Sequence, residues 1–503
     1  MSAIASAFEL VFQPYVLAVI LCASIYGLIL GCIPGLTATM ATALLVPITF
    51  FMAPVPAVAA IVSASAMAIF SGDIPGALLR IPGTPASAAY TDEAYAMTKK
   101  GQAGIALGAG LVFSVLGGLF GTAVMITSAP LLAAFALQFS SFEFFWLAVM
   151  GLGGAVFIGS ASVLKACVTL LFGLLVSCVG MDNPAAAVRF TFGVGELVGG
   201  VSLIPMVVGT FAVSEILRNV TAMDAPPRIG AEQVGNIFKG MWALTKRYKL
   251  AFLRGSAVGT IIGIQPGSGP DMASWITYSL SKRFSKEPEK FGTGHVEGII
   301  ESGAANNSSL AGAWIPALVF GIPGDTITAI AIGVLYLKGL NPGPTIFVTN
   351  APAVYAIFIV FILANLLMVP LGWLIIKIAR NVLRVSRNIL MPIVLLFCIV
   401  GSFAINNSEF GIVLMLVFGV IAFVLEGNGF PVAPAILGMV LGNMLEENFV
   451  TSMIKSDGNP AVFFSRPIAG VLAFCTIMIL FWPVASWLAR KMRPAQGRGV
   501  PPV

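Results

Sequence analysis

Gly27-Leu-Ile-Leu-Gly31-Cys-Ile-Pro34-Gly35 and Gly259-Thr-Ile-Ile-Gly263-Ile-Gln-Pro266-Gly267 are two copies of one pattern, G-x-x-x-G-x-x-P-G, 232 residues apart. Further on, Ile74-Pro75 and Ile81-Pro82-Gly83 match Ile315-Pro316 and Ile322-Pro323-Gly324, now 241 residues apart. Two motifs in the same order at nearly one offset indicate an internal duplication. Pro and Gly interrupt helices, and interrupted apolar segments at corresponding positions of two repeats are the sequence mark of a secondary transporter. Gly27, Gly31, Gly259 and Gly263 read first as close helix packing. The Pro-Gly pairs followed by hydroxyl residues read as a site, because free backbone at membrane depth survives only against protein or a wet cavity.

The surrounding composition agrees. Of 503 residues, 58% are hydrophobic and only 10% are charged, against about a quarter in soluble proteins. The chain therefore reads as an all-α polytopic membrane protein, and disordered, fibrous and nucleic-acid-binding classes are excluded. The 27 Lys and Arg against 21 Asp and Glu suit a positive-inside excess. Six Cys without C-x-x-C spacing read as small hydrophobes, with neither a disulfide frame nor a metal site. A single histidine, His295, is too few for a zinc site or a Ser-His-Asp triad, and its polar neighbours predict a solvated loop. No G-x-x-x-x-G-K-[ST] string is present, so ATP hydrolysis on this chain is not expected. The N-terminus lacks a basic leader and predicts a retained membrane segment.

Charge-free runs predict about twelve hydrophobic segments, some full crossings and some interrupted. Basic clusters at Arg218–Arg254, Lys282–Lys290, Lys377–Arg387 and Arg490–Arg498 should be cytoplasmic. This divides the chain into a first membrane half, 1–214, a cytoplasmic connection, 215–250, and a second half, 251–503. Residues 255–281 lie between two clusters on one side, yet two crossings need about 40 residues. A re-entrant hairpin broken at Pro266-Gly267 is the economical answer. The first copy is free of Lys and Arg up to Arg80, whereas the second is flanked by basic clusters. That asymmetry predicts inverted repeats.

Four polar clusters are the candidate substrate site: Pro34, Gly35, Thr37 and Thr39; Pro82, Gly83, Thr84 and Ser87; Gly267 and Ser268; and Asn306, Asn307 and Ser308 with Gly324 and Thr326. Backbone N–H groups and small hydroxyls can hold a compact anion without a fixed countercharge. Asp271, Asp325 and Glu301 are candidates for ion coupling, with Na+ or H+ as the ion, and Asp73 is a further intramembrane acid. The alternative for each is a cap on a half-helix or a place at the water interface. Glu446-Glu447-Asn448 reads as a helix end facing water.

These residues carry a family resemblance. G-x-x-x-G-x-x-P-G-L-T, then I-P-G-T-P-A-S-A-A, then K-K-G-Q-A-G-x-A-L-G resemble the large membrane subunit of the tripartite tricarboxylate transporters. Arg189-Phe-Thr-Phe-Gly-Val, Gly209-Thr-Phe-Ala-Val-Ser-Glu215, Gly321-Ile-Pro-Gly-Asp325 and Leu441-Gly-Asn-Met-Leu-Glu-Glu447 extend the likeness over nearly the whole chain. The resemblance implies ion-coupled uptake of di- and tricarboxylates across the bacterial inner membrane. It also implies two partners, a small membrane subunit of about four spans and a periplasmic solute-binding protein, and by analogy an elevator-like transport step. Two positions depart from the family pattern: Glu93-Ala94 follows Asp92 where the family tends to have Gly and Tyr, and Gly303 stands where it tends to have Glu. The rival readings are a stand-alone carboxylate symporter or exporter and, from another class, an intramembrane protease using Asp73 and Asp325. Ile322 breaks the glycine pattern the latter needs.

Overall fold

A computed structural model describes residues 2–158, 162–181, 183–221, 234–383 and 387–492. Arg384, Arg493 and Arg498 of the predicted basic clusters, and 222–233 of the connection, lie outside the described residues. Among the described residues the fold is all-helical, with six helices long and apolar enough to cross a membrane and six shorter apolar ones. Leu164, Leu171, Val413, Val420, Phe474 and Phe481 point outward and are exposed, as lipid-facing side chains must be.

After the short α1 (Ser2–Val11), α2 (Pro14–Cys32) ends just before Pro34, which has no N–H to continue a helix. Gly35 turns the chain at φ +90°, and α3 (Ala38–Phe50) starts from Thr37, whose hydroxyl accepts from the Met40 N–H at 3.2 Å. Then come α4 (Pro54–Ser71), α5 (Asp73–Leu79), an irregular stretch through Pro82-Gly83, α6 (Thr91–Lys99), the long α7 (Ala103–Ala136), α8 (Ser141–Ile158) and α9 (Val163–Ser177). α10 (Leu203–Val208) and α11 (Ser214–Thr221) are joined by a π-helical turn at Gly209–Val213. Residues 215–221 of the connection therefore belong to a helix.

Past α12 (Met241–Arg247), the same order returns. α13 (Lys249–Ile264) and α14 (Gly269–Phe284) form the expected hairpin, broken at Gln265–Ser268 with Gly267 at φ +82°. Sixteen residues each give about 24 Å of helix, short of a hydrocarbon core of about 30 Å. α15 (Val296–Phe320) ends at Gly321 in the left-handed conformation, and α16 (Thr326–Leu337) follows Pro323-Gly324. The chain finishes with α17 (Ile346–Thr349), α18 (Ala351–Val382), α19 (Arg387–Asn406), α20 (Glu409–Gly427), α21 (Ala433–Lys455), α22 (Val462–Ser465) and α23 (Pro467–Met492).

The paired glycines explain the packing. A Cβ on Gly27 or Gly31 would run into the Ala64 or Ala68 carbonyl of α4. One on Gly259 or Gly263 would meet the backbone of Ala305 or Ser309 on α15. So α2 seats on α4 as α13 seats on α15. At the centre α7 packs along α15, where Gly117 and Gly121 meet the Ala304 and Ser308 backbone.

Two expectations fail. His295 is not solvated: it is 6% exposed and caps α15, its Nδ1 accepting from the Glu297 N–H at 3.2 Å. Phe291 and Tyr248 pack beside its ring. Glu446 and Glu447 do not end a helix. They lie inside α21, and Glu446 pairs with Arg189 at 2.8 Å.

Candidate functional site

All four helix breaks open on one cavity of about 590 Å³. Thr37, Ala38 and Thr39 come from the first break, Thr84, Pro85 and Ala86 from the second, Gly267–Asp271 from the third, and Asp325–Ile327 from the fourth. Each break is followed by small or hydroxyl residues because a restarting helix needs a cap. The N-termini of α3, α14 and α16 therefore face the cavity, and Pro431–Pro434 bring in the start of α21. Unpaired N–H groups and the helix dipole make such ends favourable to anions.

The contacts around the cavity follow the duplication. Gly83 abuts the Gly31 carbonyl, and its repeat counterpart Gly324 abuts the Gly263 carbonyl. Thr39 Oγ1 lies 2.9 Å from Thr326 Oγ1. Asp271, which stands in the second copy where Thr39 stands in the first, faces the Ala86 amide. Trp275 Nε1 donates to the Pro85 carbonyl at 3.2 Å. Each first break thus meets the second break of the other copy.

Among the sequence candidates, Thr37, Thr39, Thr84, Gly267, Ser268, Asp271, Asn306, Asp325 and Thr326 line the cavity. Ser268 Oγ is buried and has no hydrogen-bond partner among the described residues. Asp325 caps α16 through Oδ1, which accepts from the Thr328 N–H at 2.7 Å, while Oδ2 has no hydrogen-bond partner among the described residues. Asp325 thus caps α16 and lines the cavity at once.

The remaining candidates are not on the lining. Pro34, Gly35, Pro82, Gly83 and Gly324 shape the breaks. Ser87 exchanges hydrogen bonds with Thr84 and fixes that turn. Ser308 Oγ donates to the Ser256 carbonyl at 3.0 Å, joining α15 to α13. Asn307 is buried without a hydrogen-bond partner among the described residues. Glu301 is fully buried and takes both arms of Arg254, at 2.6 and 2.5 Å. That bidentate pair occupies both carboxylate oxygens, and Glu301 lies off the cavity lining. Asp73 is off the lining as well, held by the Tyr90 hydroxyl at 2.6 Å. It and Asp325 do not face one another across the cavity as an aspartyl pair.

Sequence reasoning missed one group. Arg218 lines the cavity and pairs with Glu215 at 3.0 Å and with Glu426, all three on the wall. The π-helical turn ahead of α11 brings Phe211 and Ser214 to the same wall. The available signal was Glu426 closing a charge-free run, with Arg218 at the edge of another. The lining thus carries Glu215, Asp271, Asp325 and Glu426 against one guanidinium.

Residues 17–437 match the family described as the tripartite tricarboxylate transporter TctA family. A protein of Agrobacterium vitis, described as an uncharacterized 52.8 kDa protein in the TAR-I ttuC' 3' region, is 34% identical over 446 residues. That alignment covers 89% of this chain and 88% of the relative. A second Agrobacterium vitis protein, from the TAR-II ttuC' 3' region, is 35% identical over 233 residues, covering 45% of this chain and 96% of the relative. No solved structure matches the chain.

Proposed function

Because the chain belongs to the tripartite tricarboxylate transporter TctA family, we propose that it is the permease of a binding-protein-dependent secondary transporter that takes up di- and tricarboxylates, driven by an ion gradient. In this reading it works in the bacterial inner membrane with a small membrane subunit of about four spans and a periplasmic solute-binding protein. The halves on either side of the 215–250 connection act as inverted repeats. The observation that carries the reading is the convergence of four helix N-termini on one cavity. A carboxylate there is held by N–H groups and by the hydroxyls of Thr37, Thr39, Ser268 and Thr326, with Asn306 beside them.

Charge supports the coupling. Four acids and one arginine line the cavity, so an anion entering alone meets net negative charge in a weakly screening medium. Arg218 is already shared by two glutamates. Asp271 and Asp325 have no cationic partner among the described residues. A cation bound with the substrate, Na+ or H+, removes the repulsion at these two carboxylates and makes uptake depend on its gradient.

The test is uptake of radiolabelled di- and tricarboxylates into proteoliposomes holding the permease and its partners, with and without a Na+ or a proton gradient. Gradient-dependent uptake is expected. Absence of uptake for every carboxylate under either gradient overturns the reading. Asn306→Ala is expected to lower uptake about tenfold, as loss of a hydrogen bond to a charged ligand does.

A further inference from the structure

Behind the cavity lies a carboxylate that the lining does not contain. Asp73 opens α5 and is 7% exposed. Its Oδ1 accepts from the hydroxyl of Tyr90, itself 2% exposed, at 2.6 Å. That hydroxyl in turn faces Asn306 Nδ2 at 3.4 Å, and Asn306 is on the cavity wall. Three side chains therefore run from the cavity to a buried acid. No Lys, Arg or His pairs with Asp73 among the described residues. Among the described residues, Tyr90 is the one titratable group in contact with it in the hydrogen-bond and ion-pair network.

The other carboxylate oxygen, Oδ2, is buried with no hydrogen-bond partner among the described residues. Gly110 of α7 faces it, and a Cβ there would stand 3.6 Å from Oδ2. One turn further along α7, Ser114 faces Gly303 of α15, and Ser114 Oγ is unpartnered among the described residues. So are Asn306 Oδ1 and the amide of Asn307, all at 3% exposure or less. Buried polar atoms without partners need an explanation, such as an ion, and an uncompensated carboxylate in a low-dielectric interior is costly.

We propose that Asp73 is the charged ligand of a second monovalent-cation site, reached by Oδ2 from the α7 and α15 side and linked to the substrate cavity through Tyr90 and Asn306. The site is distinct from the Asp271 and Asp325 carboxylates, and the proposal rests on the carboxylate-permease reading. A cation on Oδ2 neutralises the carboxylate and lets Tyr90 and Asn306 turn their hydrogen-bonding capacity toward the substrate. Tyr90 is a positioning residue in this scheme. The cation is Na+ or a proton, since either supplies one positive charge to one oxygen.

The experiment uses proteoliposomes holding the permease with its small subunit and binding protein. Gradient-driven accumulation and equal-concentration substrate exchange are measured side by side, in one arm under a Na+ gradient at equal pH and in the other under a pH gradient without Na+. The arm that drives the wild-type protein identifies the cation. Asp73→Asn is expected to lose accumulation about tenfold while exchange continues, since the amide imitates the neutralised carboxylate. Gly110→Ala makes only an ordinary contact with Oδ2, so it tests the site in a folded protein, and it is expected to raise the cation concentration for half-maximal uptake several-fold. Tyr90→Phe is expected to change the same half-maximal cation concentration without abolishing exchange. Wild-type-like accumulation by Asp73→Asn, or unaltered cation dependence in Gly110→Ala, overturns the site. A wild-type protein that neither accumulates nor exchanges any carboxylate overturns the permease reading, and this proposal with it.

Discussion

Glu93 and Glu301 are both fully buried, and neither lines the cavity. The Glu93 carboxylate accepts from the backbone N–H groups of Gly292, Gly294 and His295 and from the Tyr278 hydroxyl. It pins α6 to the loop ahead of α15, and Lys100 reinforces the joint by donating to the Thr293 carbonyl at 2.6 Å. Glu93→Ala strands these donors and is expected to cost about 3 kcal/mol, read as a lower Tm in detergent. Glu301→Gln removes the counter-charge of Arg254 at a cost of about 3 kcal/mol; its Tm should fall, and any transport loss should track the folded fraction. Sequence alone ranked Glu301 with Asp271 and Asp325 because all three are acids in apolar surroundings. It could not see that Arg254, 47 residues earlier, reaches both oxygens of one of them. The same blindness to long-range pairing hid Glu426 with Arg218 and Glu446 with Arg189.

At the scale of elements, the breaks were legible because Pro and Gly act locally. Pro34 and Pro266 end their helices without help from tertiary structure, and the α13–α14 hairpin follows from counting residues against bilayer thickness. The paired glycines were legible for the same reason, since a missing side chain has one packing use here. Gly263→Val is expected to push α13 off α15 at the Ser309 carbonyl, costing about 2 kcal/mol and lowering Tm. The His295 cap and the π-helical turn were not legible. His295 looks like a loop residue by composition, and only the start of α15 makes it a cap. Nothing local in Gly209–Val213 announces the π-helical turn that carries Ser214, Glu215 and Arg218 to the cavity wall.

For the whole molecule, the duplication does more than double the helices. Each first break meets the second break of the other copy, through Thr39 and Thr326 on one side and Asp271 and Ala86 on the other. Those crossed contacts gather helix N-termini and acids into one place, a result that neither copy achieves alone. The measurement that tests this account most directly is substrate protection at Thr326. With the six native cysteines replaced, Thr326→Cys is labelled by a membrane-impermeant maleimide in the presence and absence of a panel of di- and tricarboxylates. A cysteine at exposed Asn459, far along the chain from any break, serves as reference. The account predicts that at least one carboxylate slows labelling at position 326 and leaves position 459 unchanged. Labelling at 326 that no carboxylate alters, in a protein that still transports one, contradicts it.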